Sequence, residues 1–239
     1  ESNVSKEPEI IDDISTEFSS EQKVKIIGYN GDAMEPYISR DEKYLFFNNH
    51  KGENDKKLFY AEKINNLTFQ YKGKVKWVNT KFVDWNPTMD SLNNFYFVST
   101  RGLKSWNLNT IYSWVFHEGK VKNIKIVKGT INEGQRLDKN ILINMGVEIS
   151  KDWNTMYSSY AKFRVGDNFP SEGDIRFAIK EDGKFNVSIN KHDILKNINT
   201  EFAVEYAGEI SDDWLEFFYS QVFLSNPPVF KLYHAKRNN

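Results

Sequence analysis

A twelve-residue pattern occurs four times in this chain, and internal repetition constrains a fold more tightly than any composition can. Residues 36–47 read PYISRDEKYLFF, residues 87–98 PTMDSLNNFYFV, residues 147–158 VEISKDWNTMYS and residues 208–219 GEISDDWLEFFY, with starts 51, 60 and 61 residues apart. In three copies a strand ends in Ser-x-Asp: Ser39 and Asp41, Ser150 and Asp152, Ser211 and Asp213. The second copy has Asp90-Ser91-Leu92 instead. Five residues after each Ser, or after Asp90, an aromatic-rich strand begins. Ser and Asp side chains can bond backbone amides one to three residues on, which closes a tight reversal between antiparallel strands. These serines are therefore read as turn residues rather than nucleophiles.

Each copy continues in the same way. KLFYAEK begins at Lys57, TIYSWVF at Thr110, DIRFAIK at Asp174 and FKLYHAK at Phe230. A Gly-Lys turn is expected at Gly73-Lys74, Gly119-Lys120 and Gly183-Lys184, followed by another strand. Each repeat thus predicts four antiparallel strands, the composition of a propeller blade, and the chain predicts an all-β propeller of four blades. The last copy reaches Asn239 before its turn. Gly73 lies 14 residues before Pro87, and Gln22 lies 14 residues before Pro36. Lys23–Tyr29 (KVKIIGY) is accordingly expected to close the last blade, pairing beside Phe230–Lys236 and covering its open edge.

With P-x-x-S-x-D before an aromatic strand, a D-I/L-aromatic strand, a G-K turn and then Ile131-Asn132 or Ile198-Asn199, residues 22–239 resemble the WD-like repeats of TolB-type propellers. Pro is kept only as Pro36 and Pro87, and four blades are counted where that family commonly has six. The resemblance implies a periplasmic or secreted protein that works through protein contacts. The first residue is Glu1, as removal of a signal or trimming would leave it.

Charge and composition narrow the partners. Lys+Arg is 32 against 33 Asp+Glu, and a net charge of −1 gives no reason to propose nucleic acid or an anionic membrane. No apolar run approaches the roughly 18 residues of a membrane span. With no Cys, disulfides, thiolate zinc sites and cysteine nucleophiles are excluded. Residues 1–21 hold seven acidic residues and only Lys6 as a base, which reads as a solvated, flexible leader or tether. Ile10, Ile11, Ile14 and Phe18 in it have helical spacing, so a short docked helix is the other reading. Residues 22–239 read as a single domain and a monomer.

Candidate sites come from the aligned copies. His50, His117, His192 and His234 show no metal-ligand spacing, and no G-x-S-x-G, P-loop or G-x-G-x-x-G occurs. Trp153 and Trp214 share a repeat position and either clamp a ligand or pack between blades. Trp106 has polar neighbours and is the better exposed candidate, and the insertions at 129–143 and 163–173 vary in length as recognition loops do. The innermost strands are Ala33–Tyr37, Asp84–Thr88, Asn144–Glu148 and Glu205–Glu209. Strict alternation sends Glu35, Tyr37, Asp84, Asn86, Thr88, Asn144, Glu148, Glu205 and Glu209 to the central channel. It sends Met34, Trp85, Met145 and Tyr206 between the sheets.

Five carboxylates (Glu35, Asp84, Glu148, Glu205, Glu209) and no Lys or Arg fall on that channel face. Such crowding requires water, protonation or a bridging metal. With Asn86 and Asn144, the oxygen ligands would suit Ca²⁺ or Mg²⁺, and a hydrated channel is the plainer alternative. The function read from the sequence is a non-enzymatic scaffold without a cofactor, binding a protein, peptide or glycan through its rim and channel. The alternative is a glycoside-active hydrolase, which needs two carboxyl groups roughly 5–10 Å apart. No motif singles out such a pair.

Overall fold

In the computed structural model, which describes residues 22–49, 56–104, 106–167, 169–188, 194–225 and 227–237, the Ser-x-Asp sequences make the reversals their side chains favour. Ser150 Oγ donates to Asp152 Oδ1 at 2.5 Å, and the N–H groups of Thr155 and Asn154 donate back to Ser150 Oγ and Asp152 Oδ1. Ser39 with Asp41 and Ser211 with Asp213 repeat the arrangement. In the second copy Asp90 acts alone, accepting from the N–H groups of Leu92 and Asn94, both at 2.9 Å. Hydrogen bonds from Ser39 and from Lys43 outweigh the opposing effect of burial and hold the Asp41 carboxyl below its ordinary value.

These corners organise an almost wholly β chain into four meanders. After β1 (Lys25–Ile27), the first unit is β2 (Met34–Ile38), β3 (Tyr44–Asn48), β4 (Leu58–Asn65) and β5 (Thr68–Lys74). The second is β6 (Asp84–Met89), β7 (Asn94–Ser99), β8 (Ile111–His117), β9 (Lys120–Val121) and β10 (Lys125–Ile126). The third adds β11 (Gln135–Leu137) before β12 (Asn140–Ile149), β13 (Thr155–Arg164), β14 (Glu172–Glu181) and β15 (Lys184–Val187). The last has β16 (Val204–Ile210), β17 (Glu216–Phe223) and β18 (Val229–Lys236). Strands pair antiparallel within each unit, β9 and β10 both pairing with β8. A parallel Gly173–Val204 contact joins the third and fourth units into one eight-stranded sheet, and the inner strands β2, β6, β12 and β16 lie side by side.

Aromatic and aliphatic side chains fill the space between neighbouring units. Phe46, Leu58 and Tyr60 of the first meet Phe95, Phe97 and Phe116 of the second. Tyr96, Val98 and Ile111 meet Ile149, Met156 and Ala178 of the third. Tyr157, Ile175 and Phe177 then meet Phe217 and Tyr219 of the last. The Asn residues of Ile131-Asn132, Ile198-Asn199 and Val78-Asn79 are structural clamps on the third strands of the first three units. Asn132 Oδ1 accepts from the N–H groups of Thr110 and Ile111, while its Nδ2 donates to the carbonyls of Ile111 and Val127. Asn199 does the same for Ile175, and Asn79 for Leu58.

The expected closure by the N-terminal strand is corrected. Lys25–Ile27 pairs parallel with Thr68–Gln70 of the first unit, and among the described residues β18 pairs only with β17. The reason is apolar cover: Ile26 and Tyr29 pack on Phe47, Phe59 and Phe69, the first unit's outer face, with the Tyr29 and Phe47 rings 4.9 Å apart. The inference from Gly73 fails for a related reason. Gly73 lies within β5 opposite Tyr60 at a register shift, and the β4–β5 reversal falls at Asn66-Leu67. At Glu118-Gly119 and Asp182-Gly183 the expected hairpin turns do form, with positive φ at both central residues (45° and 76°, 47° and 73°), the type I′ geometry that glycine favours. Among the described residues the sheets do not close into a continuous ring, the last unit ending at the exposed strand β18.

Residues 1–21, His50 and His192 lie outside the described residues. Among the described residues, no helix is long and apolar enough to cross a membrane.

Candidate functional site

Each inner strand carries one bulge, at the same repeat position in the first, second and last units and about one residue earlier in the third, and that bulge decides what faces the axis. The register shifts lie between Met34 and Tyr37, Trp85 and Thr88, Asn144 and Gly146, and Tyr206 and Glu209. Glu35, Asn86 and Ala207 adopt φ of 49°, 49° and 52° there. An extra residue reverses the alternation of side chains along a strand. Pro36 and Pro87 lack the N–H that a broken ladder would orphan. In the third unit the Val147 N–H donates instead to Asn86 Oδ1 of its neighbour, and in the last the Ala207 N–H donates to Ser159 Oγ.

Beyond the bulge, toward the Ser-x-Asp turns, Glu148 and Glu209 line one pocket, while Tyr37, expected at the channel, packs in the core between the first two units with its hydroxyl donating to the Met89 carbonyl. The pocket measures about 20 Å³ and is lined by Gly146, Glu148, Ala207 and Glu209 among others, room for about one water. Glu148 is 5% exposed. Its Oε2 accepts from Thr88 Oγ1, and its Oε1 from Arg40 Nη2 at 2.8 Å. Arg40 also donates to the Ile149 carbonyl and, through Nη1, to Asp212 Oδ1 at 2.7 Å. Burial pushes the Glu148 carboxyl up to about 8 against the pull of Arg40, and the nearby Glu209 adds to the rise. Burial likewise raises Glu209, with Arg40 opposing.

The expectation of a channel without cations is thereby corrected: Arg40 enters it from the first turn. The middle residues of the turns meet there, with Lys151 Nζ 2.9 Å from Asp212 Oδ2 and Ser91 Oγ donating to the Lys151 carbonyl. Arg40, Lys151 and Asp212 were visible at one repeat position with opposite charges. That was the signal for this contact.

Before the bulge the facing is opposite to the strict alternation. Asp84, Asn144 and Glu205 are buried within their own units. Asp84 accepts from Arg101 Nη2 at 2.6 Å and from the Thr80 N–H and hydroxyl. Asn144 Oδ1 accepts from Arg176 Nη2, and Glu205 Oε1 from Thr200 Oγ1 and Gln221 Nε2. The five carboxylates therefore do not converge. Among the described residues no group of three or more His, Cys, Asp or Glu side chains could hold a metal ion, so the cluster expected for Ca²⁺ or Mg²⁺ does not form.

Trp85, Met145 and Tyr206, expected between sheets, line an open cleft of about 810 Å³ at the other mouth of the axis, and Trp85 also packs, as expected, on the core between the second and third units. Glu35 and Asn86 also line it, Glu35 paired with Lys56 at 3.3 Å. Trp85 Nε1 donates to the Met145 carbonyl, which locks the second unit to the third across the floor. The two variable insertions supply a wall: Arg136, Ile141 and Phe163 are cross-strand neighbours on β11, β12 and β13. Arg136 donates to the Leu103 carbonyl, anchoring that wall to the loop that carries Trp106, which is 93% exposed. Trp214 packs on the core between the last two units, whereas Trp153 is 37% exposed. His117 is exposed, and His234 stacks on Phe218.

No protein-family model and no curated protein matches this chain. Among solved structures, the endo-arabinase of Bacteroides thetaiotaomicron superposes with a TM-score of 0.53 at 9% identity, over 85% of this chain and 74% of that one. A TolB protein of Agrobacterium tumefaciens is 11% identical with a TM-score of 0.49, over 83% of this chain. The chain spans 59% of the length of that TolB structure. The native arabinanase of Bacillus subtilis is 9% identical with a TM-score of 0.49, over 85% of this chain and 72% of that one. The endo-arabinase likeness shows a β-propeller fold for this chain, and the fold alone.

Proposed function

We propose that the protein is a non-catalytic β-propeller scaffold that binds an extended protein, peptide or glycan ligand in the cleft floored by Trp85, Met145 and Tyr206. Its four meanders are four blades, residues 22–239 act as one domain, and the protein works outside the cytoplasm as a monomer. The observation that carries this reading is the separation of the open space from the buried axial acids Glu148 and Glu209; the acids that do line the cleft are Glu35, paired with Lys56, and Asp167. The cleft of about 810 Å³ is broad enough for a ligand, while Glu148 and Glu209 share a pocket of about 20 Å³. Glu35 and Asn86 contribute the polar contacts at the floor, and Trp106 extends the rim. Glycoside hydrolysis needs a sugar ring between two carboxyl groups, and the pocket of about 20 Å³ at Glu148 and Glu209 has no room for one.

The test is binding of labelled protein to arrays of extended peptides and of oligosaccharides, repeated with Ile141→Glu. Ile141 lines the cleft and is only partly buried, so the change places an anion in the apolar wall without opening the core. The reading expects hits that this variant loses. Hits retained by the variant would place the ligand elsewhere on the molecule.

A further inference from the structure

At the outer corner of the first two units, two Lys-Val-Lys segments lie side by side. Lys76 and Lys120 form a parallel bridge, in which the Lys76 N–H donates to the Gly119 carbonyl and the Val121 N–H to the Lys76 carbonyl. Val75 and Val121 point inward and are buried. Alternation then turns Lys74, Lys76, Lys120 and Lys122 outward, and all four are exposed. Lys125 joins them from β10, beside Ser113 of β8. None of these five has a carboxylate partner among the described residues, whereas nearby Lys72 is paired with Glu62. Two indoles stand among them: Lys122 lies over Trp77 and Lys125 over Trp114. Trp77, Val115 and Ile126 are 55%, 46% and 49% exposed. A groove of about 300 Å³ runs between Trp114 and the Lys120–Lys122 segment, with Glu118 as the acid at its edge.

We propose that this lysine and tryptophan corner docks the protein on an anionic lipid bilayer, independently of the cleft. Three features favour a bilayer over other anions. The cations are all lysines, compact hydrated point charges suited to a field of many anions, not the planar forks that grip one carboxylate or phosphate. Exposed Trp, Val and Ile side chains gain nothing from a wholly polar polymer, but they suit the interfacial region of a membrane, where indole rings concentrate. Juxtaposed lysines each add attraction to an anionic leaflet that decays within a Debye length, so five acting together outweigh a net charge of −1 spread over the molecule.

Cosedimentation of the full chain with phosphatidylcholine vesicles, with and without phosphatidylglycerol, tests this at about 0.15 M salt. The expected result is pelleting with the anionic vesicles alone and a blue shift of tryptophan emission. Lys74→Glu/Lys76→Glu/Lys120→Glu/Lys122→Glu should weaken binding by more than about tenfold at an unchanged melting temperature. If that variant melts early, Lys120→Gln/Lys122→Gln serves instead, with a smaller loss expected. Trp77→Ser should weaken vesicle binding while leaving adsorption to heparin unaltered. Equal binding to neutral vesicles, no binding to either kind, or tight heparin binding with a Trp77→Ser variant that pellets normally would each overturn the proposal.

Discussion

Arg40 and Asp212 lie 172 residues apart and form an ion pair at 2.7 Å, joining the middle of the first Ser-x-Asp turn to the middle of the last. The pair brings the first and last units together at the axis, where no strand pairing joins them among the described residues. Its two ends are unequal. The Arg40 side chain is 18% exposed and serves Glu148 and the Ile149 carbonyl as well, whereas the Asp212 side chain is 47% exposed. Arg40→Ala leaves buried acceptors unsatisfied and should cost about 3 kcal/mol. Asp212→Ala removes a half-exposed partner and should cost less than about 1 kcal/mol. Urea denaturation of both variants checks this, and equal losses would contradict it.

Glu148 makes stability depend on pH. Its folded value of about 8 lies above its ordinary 4.5, so the folded chain holds the extra proton between those limits. The contribution is fully present below about pH 4.5 and is lost as pH rises through about 8, with a slope of at most about 1.4 kcal/mol per pH unit. Glu148→Gln should flatten that decline. Arg40→Ala should move it to higher pH, because the guanidinium is what pulls the carboxyl down. Melting temperatures from pH 5 to pH 9 read both effects.

Asn132 is fully buried and makes four backbone hydrogen bonds. Asn132→Ala should cost about 3 kcal/mol or more by leaving those groups without partners. Asn132→Asp should be comparably damaging, since a carboxylate cannot donate to the Ile111 and Val127 carbonyls. Equilibrium unfolding of the two variants is the check.

Asp152 works at a surface corner, so its loss should be milder. Asp152→Ala should cost about 0.5–2 kcal/mol, the range for losing a local side-chain-to-backbone bond. Ligand binding by the folded variant should be unchanged. A loss of binding at unchanged stability would make it a functional residue.

The turns were legible because their chemistry is local: Ser39, Ser150 and Ser211 act on backbone a few residues away. The repeat period carried the four turn positions for the same reason. The facing of the inner strands was not legible, because one extra residue at Glu35, Asn86 or Ala207 inverts the alternation without altering the sequence period. Asp84 was therefore expected at the axis, and Trp85 away from the cleft it floors. Gly73 was indistinguishable from the turn glycines Gly119 and Gly183. The partner of Lys25–Ile27 depended on which apolar face Tyr29 could cover, a tertiary choice. The overall charge balance concealed a lysine corner, since Lys76 and Lys120 become neighbours only on folding.

The account's central claim is that the cleft binds and the axial acids hold the fold together. The most direct measurement is the Kd of one array-selected ligand for the wild-type protein and for Glu148→Gln/Glu209→Gln, with its products analysed alongside. The account predicts Kd values agreeing within about twofold, a difference of about 0.4 kcal/mol, and an intact ligand in both samples. Cleavage by the wild-type protein that the double variant abolishes, or a tenfold loss of affinity at an unchanged melting temperature, would contradict it.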